Sequence, residues 1–305
     1  MSLFPEDRRP QIVKTAIGAI VDPIERFLEF IVEREAIRRR RRAEGQLAPW
    51  TKDQILQAYS FCNVHREDDR TTREIVRLWL APLADRGHPD VWFASALARE
   101  TNLVEMVQDL GTPLPWDVDH FVAVAEDREA RGLRWSSTAY RIRPDNHPEA
   151  RGQKKYLYVA HRVLTPLWQA RKTLRPREGD TLDAFHRRLI KCEGIGGFIG
   201  GQIVADVKYS GVLRSAPDWW SWATSGPGSQ AGLNRALGRP VKAPWDESEW
   251  RRELTWLHGE IADDLVKAGI GELHAQDLQN CLCEFARYEK LRLVEGTARR
   301  FVPHA

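Results

Sequence analysis

The stretch CEGIGGFIGGQIVADV, which spans Cys192–Val207, decides the fold of this 305-residue chain. Apolar residues at helical spacing lie on both sides of its glycines: Leu182, Phe185, Leu189 and Ile190 before them, and Ile199, Ile203, Val204 and Val207 after them. No strand pattern precedes the glycines and no Lys-Ser or Lys-Thr pair follows them, so a nucleotide-binding loop is not expected. The pattern predicts two helices joined by a tight hairpin, over about 181–207.

The glycines of this hairpin predict a backbone that holds one phosphate. Gly194 and Gly196 are expected at positive φ, a conformation that glycine adopts without strain. Gly197 would begin the second helix, whose first amides are available to bind a phosphate group of DNA. Lys208, at the end of that helix, is a further candidate for DNA contact. A glycine-rich turn that binds no ligand is the structural alternative.

The segment resembles the helix-hairpin-helix of DNA repair glycosylases. In that superfamily a catalytic aspartate follows the hairpin at about the distance that separates Gly194 from Asp218 here. The resemblance therefore implies a glycosylase-like fold with Asp218 as a catalytic residue. Trp219 and Trp220 would stack on a base that is flipped out of the duplex. An aspartate in solvent and tryptophans in the core are the alternatives.

The rest of the sequence is helical in pattern, with almost no strand signal. The first helix ends in five arginines, Arg38–Arg42, which suit the negative end of a helix dipole or a run of phosphates. The polar, proline-rich stretch Pro144–Gly152 is expected to be a loop that joins two helical lobes, 1–145 and 146–305. The expected fold class is therefore all-α.

Composition narrows the function classes. The chain is 42% hydrophobic, enough for a sizeable core, and its formal net charge of +3 says little about partners. The cysteines form no zinc pattern, and they are expected to be reduced residues of an intracellular protein: Cys62, Cys192, Cys281 and Cys283. No apolar run reaches the ~20 residues that span a bilayer, and the N-terminus lacks a signal-peptide core. A cytoplasmic location is expected.

A second polar cluster, FCNVHREDDR, spans Phe61–Arg70 and is flanked by apolar residues. It is predicted to begin a long helix, Phe61–Leu80. On a helix, four of its side chains would share one face: Asn63, Arg66, Glu67 and Arg70. Guanidinium groups there can hold a phosphate, while a carboxylate can deprotonate a nucleophile. A structural network of ion pairs between helices is the alternative.

This cluster and the PWTKD motif before it, Pro49–Asp53, resemble the signature of the α-glutamyl/putrescinyl thymine pyrophosphorylase family. Members are phage and bacterial enzymes of DNA base hypermodification, also described as amino acid:DNA transferases. The pattern recurs in order at Gly226–Ser229, Gly232–Arg235 and Asp277–Phe285, so the resemblance covers most of the chain. His65 departs from the pattern, which has an aromatic residue such as Phe or Tyr at that position.

The family resemblance implies a reaction on 5-hydroxymethyluracil in DNA. A kinase phosphorylates or pyrophosphorylates the hydroxymethyl group, and the family enzyme then displaces that leaving group with an amine. The implied partners are double-stranded DNA with modified thymine, a free amino acid such as glycine or glutamate, or a polyamine, and a functionally linked 5-hydroxymethyluracil DNA kinase. No cofactor or resident metal is implied, although Mg²⁺ with a pyrophosphate leaving group is compatible with the scheme.

The two resemblances assign roles to individual residues. Asp218, Glu67 and Asp69 are the catalytic candidates, and Asp218 or Glu67 would accept the proton of the incoming ammonium. The candidates for binding the substrate and its phosphates are Asn63, Arg66, Arg70, Gly228, Ser229, Asn234, Arg235, Asn280 and Glu284. The candidates for DNA contact are Gly194, Gly196, Gly197 and Lys208.

Three other functions fit parts of the pattern. A DNA glycosylase or lyase would use the same hairpin and Asp218, and would leave abasic sites. A non-catalytic DNA-binding module would need neither Glu67 nor Asp218. A 5-hydroxymethyluracil DNA kinase ranks below both, because the chain lacks the GxxxxGK[ST] phosphate-binding loop.

Overall fold

The computed structural model describes residues 22–43, 47–137 and 152–293, and within these ranges the chain is helical and contains no strand, which confirms the all-α prediction. The α-helices are α1 Pro23–Arg42, α2 Gln54–Ala58, α3 Arg70–Ile75, α4 Ala81–Asp85, α5 Val91–Thr101, α6 Val104–Leu110, α7 Val118–Ala130, α8 Lys155–Tyr158, α9 Thr165–Gln169, α10 Arg171–Leu174, α11 Leu182–Leu189, α12 Gly197–Val207, α13 Pro227–Ala236, α14 Glu247–Lys267 and α15 Ala275–Arg292. No helix in the described ranges combines the length and the apolar character that crossing a membrane requires.

The described residues form two compact units, each with its own core. The first unit is drawn from 1–68 and 223–305, and the second from 69–222. This division differs from the predicted lobes, 1–145 and 146–305. The reason is that the apolar face of α1 packs on α13, α14 and α15, from the C-terminal part of the chain. The predicted junction also lies outside the described residues, apart from Gly152.

Aromatic side chains join α1 to α15 in the first unit. The Phe30 ring lies 5.6 Å from that of Phe285 and 4.9 Å from that of Tyr288, and Phe61 meets Phe30 edge-on at 5.8 Å. The Tyr288 hydroxyl donates a hydrogen bond of 2.6 Å to Asp53, which also accepts the first amides of α2. Asp53 and Phe61, two residues of the family-like signature, therefore help to build this core.

Helices α13 and α15 pack closely because glycines of α13 face the contact. A Cβ on Gly232 would overlap the Leu282 carbonyl, and one on Gly228 would overlap the Cys283 sulfur. Glycine has no Cβ and permits this approach. Helix packing thus explains why glycines recur in this part of the signature.

Replacing Gly232 with alanine is expected to lower the free energy of unfolding by about 1–3 kcal/mol, because the added methyl group meets backbone that cannot rotate away. Gly259→Ala is the matched control, since Gly259 lies within α14 and a Cβ there would meet nothing within 4 Å. Helix propensity alone makes that change neutral or stabilising by up to about 1 kcal/mol. Denaturant unfolding measures both variants, and equal stabilities would contradict this account of the packing.

The second unit is built around α5, whose eleven residues are all buried. Helix α12 packs along it, and a buried ion pair joins the two: Arg99 donates to both oxygens of Asp206 at 2.6 Å. Ser95 also donates to Asp206, and Thr72 of α3 accepts from Arg99 at 3.1 Å. Because a buried charge is costly without its partner, this network fixes α3, α5 and α12 relative to one another.

Two helical stretches of the second unit each continue past a proline. A π-helical turn, Val76–Leu80, joins α3 to α4 before Pro82, and a second one, Val159–Leu164, joins α8 to α9 before Pro166. Proline lacks an amide hydrogen and collides with the carbonyl four residues earlier in a regular α-helix. The wider π-turn shifts that carbonyl away, so each helix passes its proline without ending.

The long helix predicted for Phe61–Leu80 is wrong in its first half. Arg66–Asp68 form a single 3₁₀ turn, and α3 begins only at Arg70. Asp69 takes an extended backbone at the N-cap of α3, a position that aspartate favours. The side chains predicted to share one helix face therefore do not, and the division between the two units falls immediately before Asp69.

Candidate functional site

A short hairpin joins α11 to α12 in the second unit, as the glycine pattern predicts. Gly194 has φ +81°, and a Cβ there would overlap the Val163 side chain. Gly196 instead has φ −77° and forms the N-cap of α12, so its predicted positive φ is wrong: the N-cap requires extended backbone. Gly196, Gly197 and Phe198 are exposed, which leaves the first turn of α12 at the surface. A helix N-terminus placed in this way suits an anion.

The carboxylate of Asp218 holds the start of α11. Its Oδ1 accepts the Leu182 amide at 2.7 Å, and its Oδ2 accepts the Asp183 amide at 3.1 Å. These amides have no partner within the helix, and negative charge is favourable at this end of the helix dipole. The geometry therefore gives Asp218 a structural role, whereas the catalytic role implied by the glycosylase resemblance stays a prediction.

Asp218→Ala is expected to lower the free energy of unfolding by about 0.5–2 kcal/mol, because two amides of α11 lose their acceptor. Asp263→Ala, at an exposed position of α14, is the control and is expected to be neutral or slightly stabilising. Thermal unfolding of both variants measures the difference. An Asp218→Ala protein that is inactive yet as stable as the wild type would favour the catalytic role instead.

The predicted DNA contact Lys208 is buried, with 1% of its surface exposed. Its ammonium lies 4.0 Å from the centre of the Trp219 ring, while the Trp219 indole donates to the Lys208 carbonyl at 3.0 Å. Lys208 and Trp219 thus form a cation–π pair inside the fold, not the surface contact that was predicted. Trp220 packs 4.9 Å from Trp219 and is 47% exposed, so it is the ring of the predicted pair that a base can reach.

A carboxyl group that sequence reasoning does not single out is buried in α5. Glu100 is 5% exposed, and its Oε1 has no hydrogen-bond partner among the described residues. Burial raises the pKa of Glu100 to about 8. The pKa of Tyr158 is also raised, first by burial of its hydroxyl group and then by the negative charges of Glu193 and Glu100. An acid that stays neutral near pH 7 can donate a proton, so Glu100 has acid–base capacity.

Glu100→Gln is expected to stabilise the protein at alkaline pH and to change little in acid. The folded state keeps this proton up to about pH 8, whereas the unfolded chain releases it near its ordinary value of 4.5. Wild-type stability therefore falls as pH rises through that window, by about 1.4 kcal/mol for each unit of pKa difference.

Denaturant unfolding at about pH 4 and about pH 9 measures this effect on either side of the window. Glu129→Gln, at an exposed position of α7, is the control and should gain nothing at the higher pH. An unchanged Glu100→Gln protein at the higher pH would show that the carboxyl group ionises freely in the folded state.

In the first unit, segment 61–68 folds across α15 and is bound to it through hydrogen bonds. The Arg66 amide donates to Asp277 Oδ1 at 2.9 Å, across 211 positions of sequence. The Asn280 side chain donates to the Asn63 carbonyl at 3.4 Å. Asn63, Arg66 and Asn280, all predicted site residues, are thereby brought together.

Carboxylates and imidazoles meet beside these hydrogen bonds. One ligand atom from each of Glu67, His274 and Asp277 lies within 4.8 Å of the other two. His274 Nδ1 is 2.8 Å from Asp277 Oδ2, and His65 Nδ1 is 4.0 Å from the same oxygen. Burial opposes ionisation of Asp277, but hydrogen bonds and the charge of His274 hold its pKa below the ordinary value. These four residues are called the acid–histidine cluster below.

A buried guanidinium of α1 faces the same segment. Phe30, Arg34 and Arg38 share one face of α1, where Phe30 contacts Phe61 and Arg38 binds Asp68 at 3.1 Å. Arg34 lies between them and is 6% exposed. Its guanidinium is 5.2 Å from the Phe30 ring centre, and neither terminal nitrogen has a hydrogen-bond partner among the described residues. Because a buried donor without an acceptor is costly, this position favours an anion.

Several predicted phosphate-binding residues have structural partners. Ser229 exchanges hydrogen bonds with the backbone of Gly226 at the start of α13. The buried side chain of Asn234 donates to two carbonyls of the following loop. Glu284 of α15 is 3.2 Å from the Arg287 guanidinium. These contacts account for the residues through local packing, and phosphate binding by them stays a prediction.

Other predicted site residues lie outside the acid–histidine cluster. Asp69 and Arg70 belong to the second unit, where Arg70 is exposed and pairs with Glu105 at 3.5 Å. Arg235 is half-buried on α13. Of the predicted catalytic residues, Glu67 is the member of the acid–histidine cluster.

Sequence reasoning missed Arg34 and His274, gave Asp277 no role although it begins the family-like motif Asp277–Phe285, and noted His65 only as a departure from a family pattern. The available signal was the three-residue spacing of His274 and Asp277, which places both at the start of one helix. Their meeting with Glu67 depends on contacts between distant parts of the chain, which spacing does not reveal.

The chain matches a family model described as "5-hmdU DNA kinase, helical domain" over residues 22–297. No curated protein and no solved structure shows significant similarity. The match links the chain to modification of 5-hydroxymethyluracil in DNA, the pathway that the sequence resemblance implies. It names a kinase of that pathway, however, and not the transferase family. Since the match covers most of the sequence, the chain belongs to the family of 5-hmdU DNA kinase helical domains.

Proposed function

We propose that this chain is an enzyme of thymine hypermodification that replaces the phosphate of a phosphorylated 5-hydroxymethyluracil in DNA with an amine. The observation that carries the proposal is that the buried Arg34 and Glu67 belong to one unit, in which Phe30 and Arg38, on either side of Arg34 in α1, contact Phe61 and Asp68 of the segment that contains Glu67. Family membership supplies the link to 5-hydroxymethyluracil.

The buried cations suit the phosphate of the substrate. Arg34 has terminal nitrogens without acceptors among the described residues, and Arg66 is only 9% exposed. Guanidinium groups bind phosphate oxygens in pairs, and they do so more strongly where water is excluded. A phosphate held there would be stabilised as negative charge develops on it during bond cleavage.

Glu67 is the group proposed to take a proton from the amine. It is half-buried in the acid–histidine cluster, and a carboxylate can act as a general base toward an ammonium ion. The freed lone pair forms a C–N bond to the methylene carbon on the base. The C–O bond breaks at the same carbon, and phosphate or pyrophosphate leaves with the bonding electrons. An amino acid such as glycine or glutamate, or a polyamine, supplies the amine.

DNA is proposed to bind the second unit at the exposed N-terminus of α12. Gly196 and Gly197 allow a phosphate to approach the first amides of that helix, and Trp220 offers a ring to a displaced base. The arginine run Arg38–Arg42 is a weaker candidate, because four of its side chains form ion pairs within the first unit.

Phosphorylation of 5-hydroxymethyluracil is the second candidate, and the family match is the observation that favours it. Arg34 would then bind the transferred phosphoryl group, and Glu67 would accept the proton of the hydroxymethyl oxygen. The sequence has no GxxxxGK[ST] loop, so the nucleotide would need a site of another kind.

One assay separates the two candidates. The chain is incubated with 5-hydroxymethyluracil DNA plus ATP and Mg²⁺, or with the phosphorylated DNA plus amino acids and polyamines, and the nucleosides are analysed by mass spectrometry. Amine transfer predicts loss of phosphate and gain of the amine in the second reaction only. Phosphorylation predicts a phosphate adduct in the first reaction only. Abasic sites would indicate a glycosylase, and no product in either reaction would overturn both candidates.

Variants test the assigned residues. Glu67→Gln and Arg34→Met are each expected to lower the rate by about 100-fold or more, because they remove the base and a cation at the leaving phosphate. Glu260→Gln, at an exposed position of α14, should leave the rate unchanged. Unfolding curves establish that each variant is folded, and full activity of a folded Glu67→Gln protein would exclude Glu67 from the mechanism.

A further inference from the structure

We propose that the acid–histidine cluster is a binding site for a divalent transition-metal ion, with Glu67, His274 and Asp277 as the principal ligands and His65 as a fourth. The three principal ligand atoms lie within 4.8 Å of one another. Some point must therefore lie within roughly 2.8 Å of all three atoms, against bond lengths of about 2.1 Å to such metals. Side-chain shifts of less than an ångström therefore complete the site.

The spacing of the individual atoms agrees with a shared ion. His274 Nδ1 and Asp277 Oδ2 are 2.8 Å apart, which is a hydrogen-bond distance and also close to the ~3 Å between neighbouring ligands on an octahedral ion, so a shared ion would replace the proton between them. His65 Nδ1 is 4.0 Å from the same oxygen, within reach after a small rotation.

The ligand types favour a transition metal over Mg²⁺ or Ca²⁺. Two imidazoles with two carboxylates suit Mn²⁺, Fe²⁺ or Zn²⁺, whereas Mg²⁺ and Ca²⁺ prefer oxygen ligands alone. The two carboxylates, Glu67 and Asp277, would balance the charge of a divalent ion when both imidazoles are neutral. That balance is valuable for Asp277, which is fully buried.

Hydrogen bonds from neighbouring residues orient the side chains of the acid–histidine cluster. In metalloproteins, such hydrogen bonds hold the metal ligands in place. The Arg66 amide occupies Asp277 Oδ1 at 2.9 Å, which leaves Oδ2 on the side of the imidazoles. The position of His274 is fixed because it is the N-cap of α15. Ligands held by such contacts are already arranged before the ion binds.

A purely structural network is the rival account. Asp277 also accepts the His274 amide at 3.3 Å, and this capping interaction explains those two residues at the start of α15. The hydrogen bond from the Arg66 amide to Asp277 likewise brings the neighbouring residues His65 and Glu67 to this place, so metal binding decides between the two accounts.

The metal deepens the proposed function, and its catalytic use rests on that function. An ion bound to one oxygen of Glu67 would leave the second oxygen to accept a proton. Together with Arg34, the ion would stabilise the departing phosphate.

The test measures metal binding without DNA. The full chain is stripped with EDTA and titrated with Mn²⁺, and free Mn²⁺ is followed by its paramagnetic resonance signal. One equivalent should bind, about tenfold or more weakly in Glu67→Gln and in His274→Ala. Glu260→Gln should match the wild type. Asp277→Asn is a poorer choice, because Asp277 also accepts the backbone amides of Arg66 and His274.

Failure to bind a near-stoichiometric amount, or unchanged affinity in both variants, would overturn the metal site. The outcome for the metal is distinguishable from that for the proposed function. Amine transfer by a chain that binds no Mn²⁺ would overturn the metal site alone. Specific Mn²⁺ binding with no amine transfer would leave the metal site standing and overturn the transferase.

Discussion

The buried carboxylate of Asp277 is the interaction on which the first unit depends. Its Oδ1 accepts the Arg66 amide, and its Oδ2 meets His274 at the start of α15. Without these partners a carboxylate in this position would be a charge in a poorly polarisable interior, which is strongly unfavourable. The need to satisfy it therefore fixes both the 3₁₀ turn at Arg66–Asp68 and the beginning of the last helix. The acid–histidine cluster is a direct consequence, because Glu67 belongs to that turn.

Close contacts with other helices of the first unit also fix the position of α15. Gly228 and Gly232 bring α13 against α15, so the last helix has little freedom to shift. The aromatic rings of Phe30 and Phe61 hold α1 and the following segment against its other side. In the second unit a comparable role belongs to Asp218, which anchors the start of α11 and with it the hairpin. Each unit thus presents its candidate residues on helices whose ends are fixed by buried or half-buried carboxylates.

The sequence predicts part of the candidate site and places it incorrectly. Arg66 and Glu67 do belong to it, but they were expected on a helix that does not form there, because Asp69 caps a later helix. Lys208 has the residue type of a phosphate contact, yet its side chain is enclosed by Trp219. The reason is the same in both cases. The residue type determines which chemistry a side chain can perform, whereas burial and helix capping determine whether that side chain can reach a ligand.

The sequence by itself determines that the protein is all-α, that two helices flank a glycine hairpin near Gly194, and that the chain belongs to 5-hydroxymethyluracil chemistry in DNA. These properties follow from periodicity, glycine placement and ordered motifs, which act over a few residues or are matched directly. Only the tertiary structure decides that Arg34, Glu67 and Asp277 are brought into one unit. That outcome depends on packing between α1 and α15, and local spacing carries no information about which distant faces bury each other.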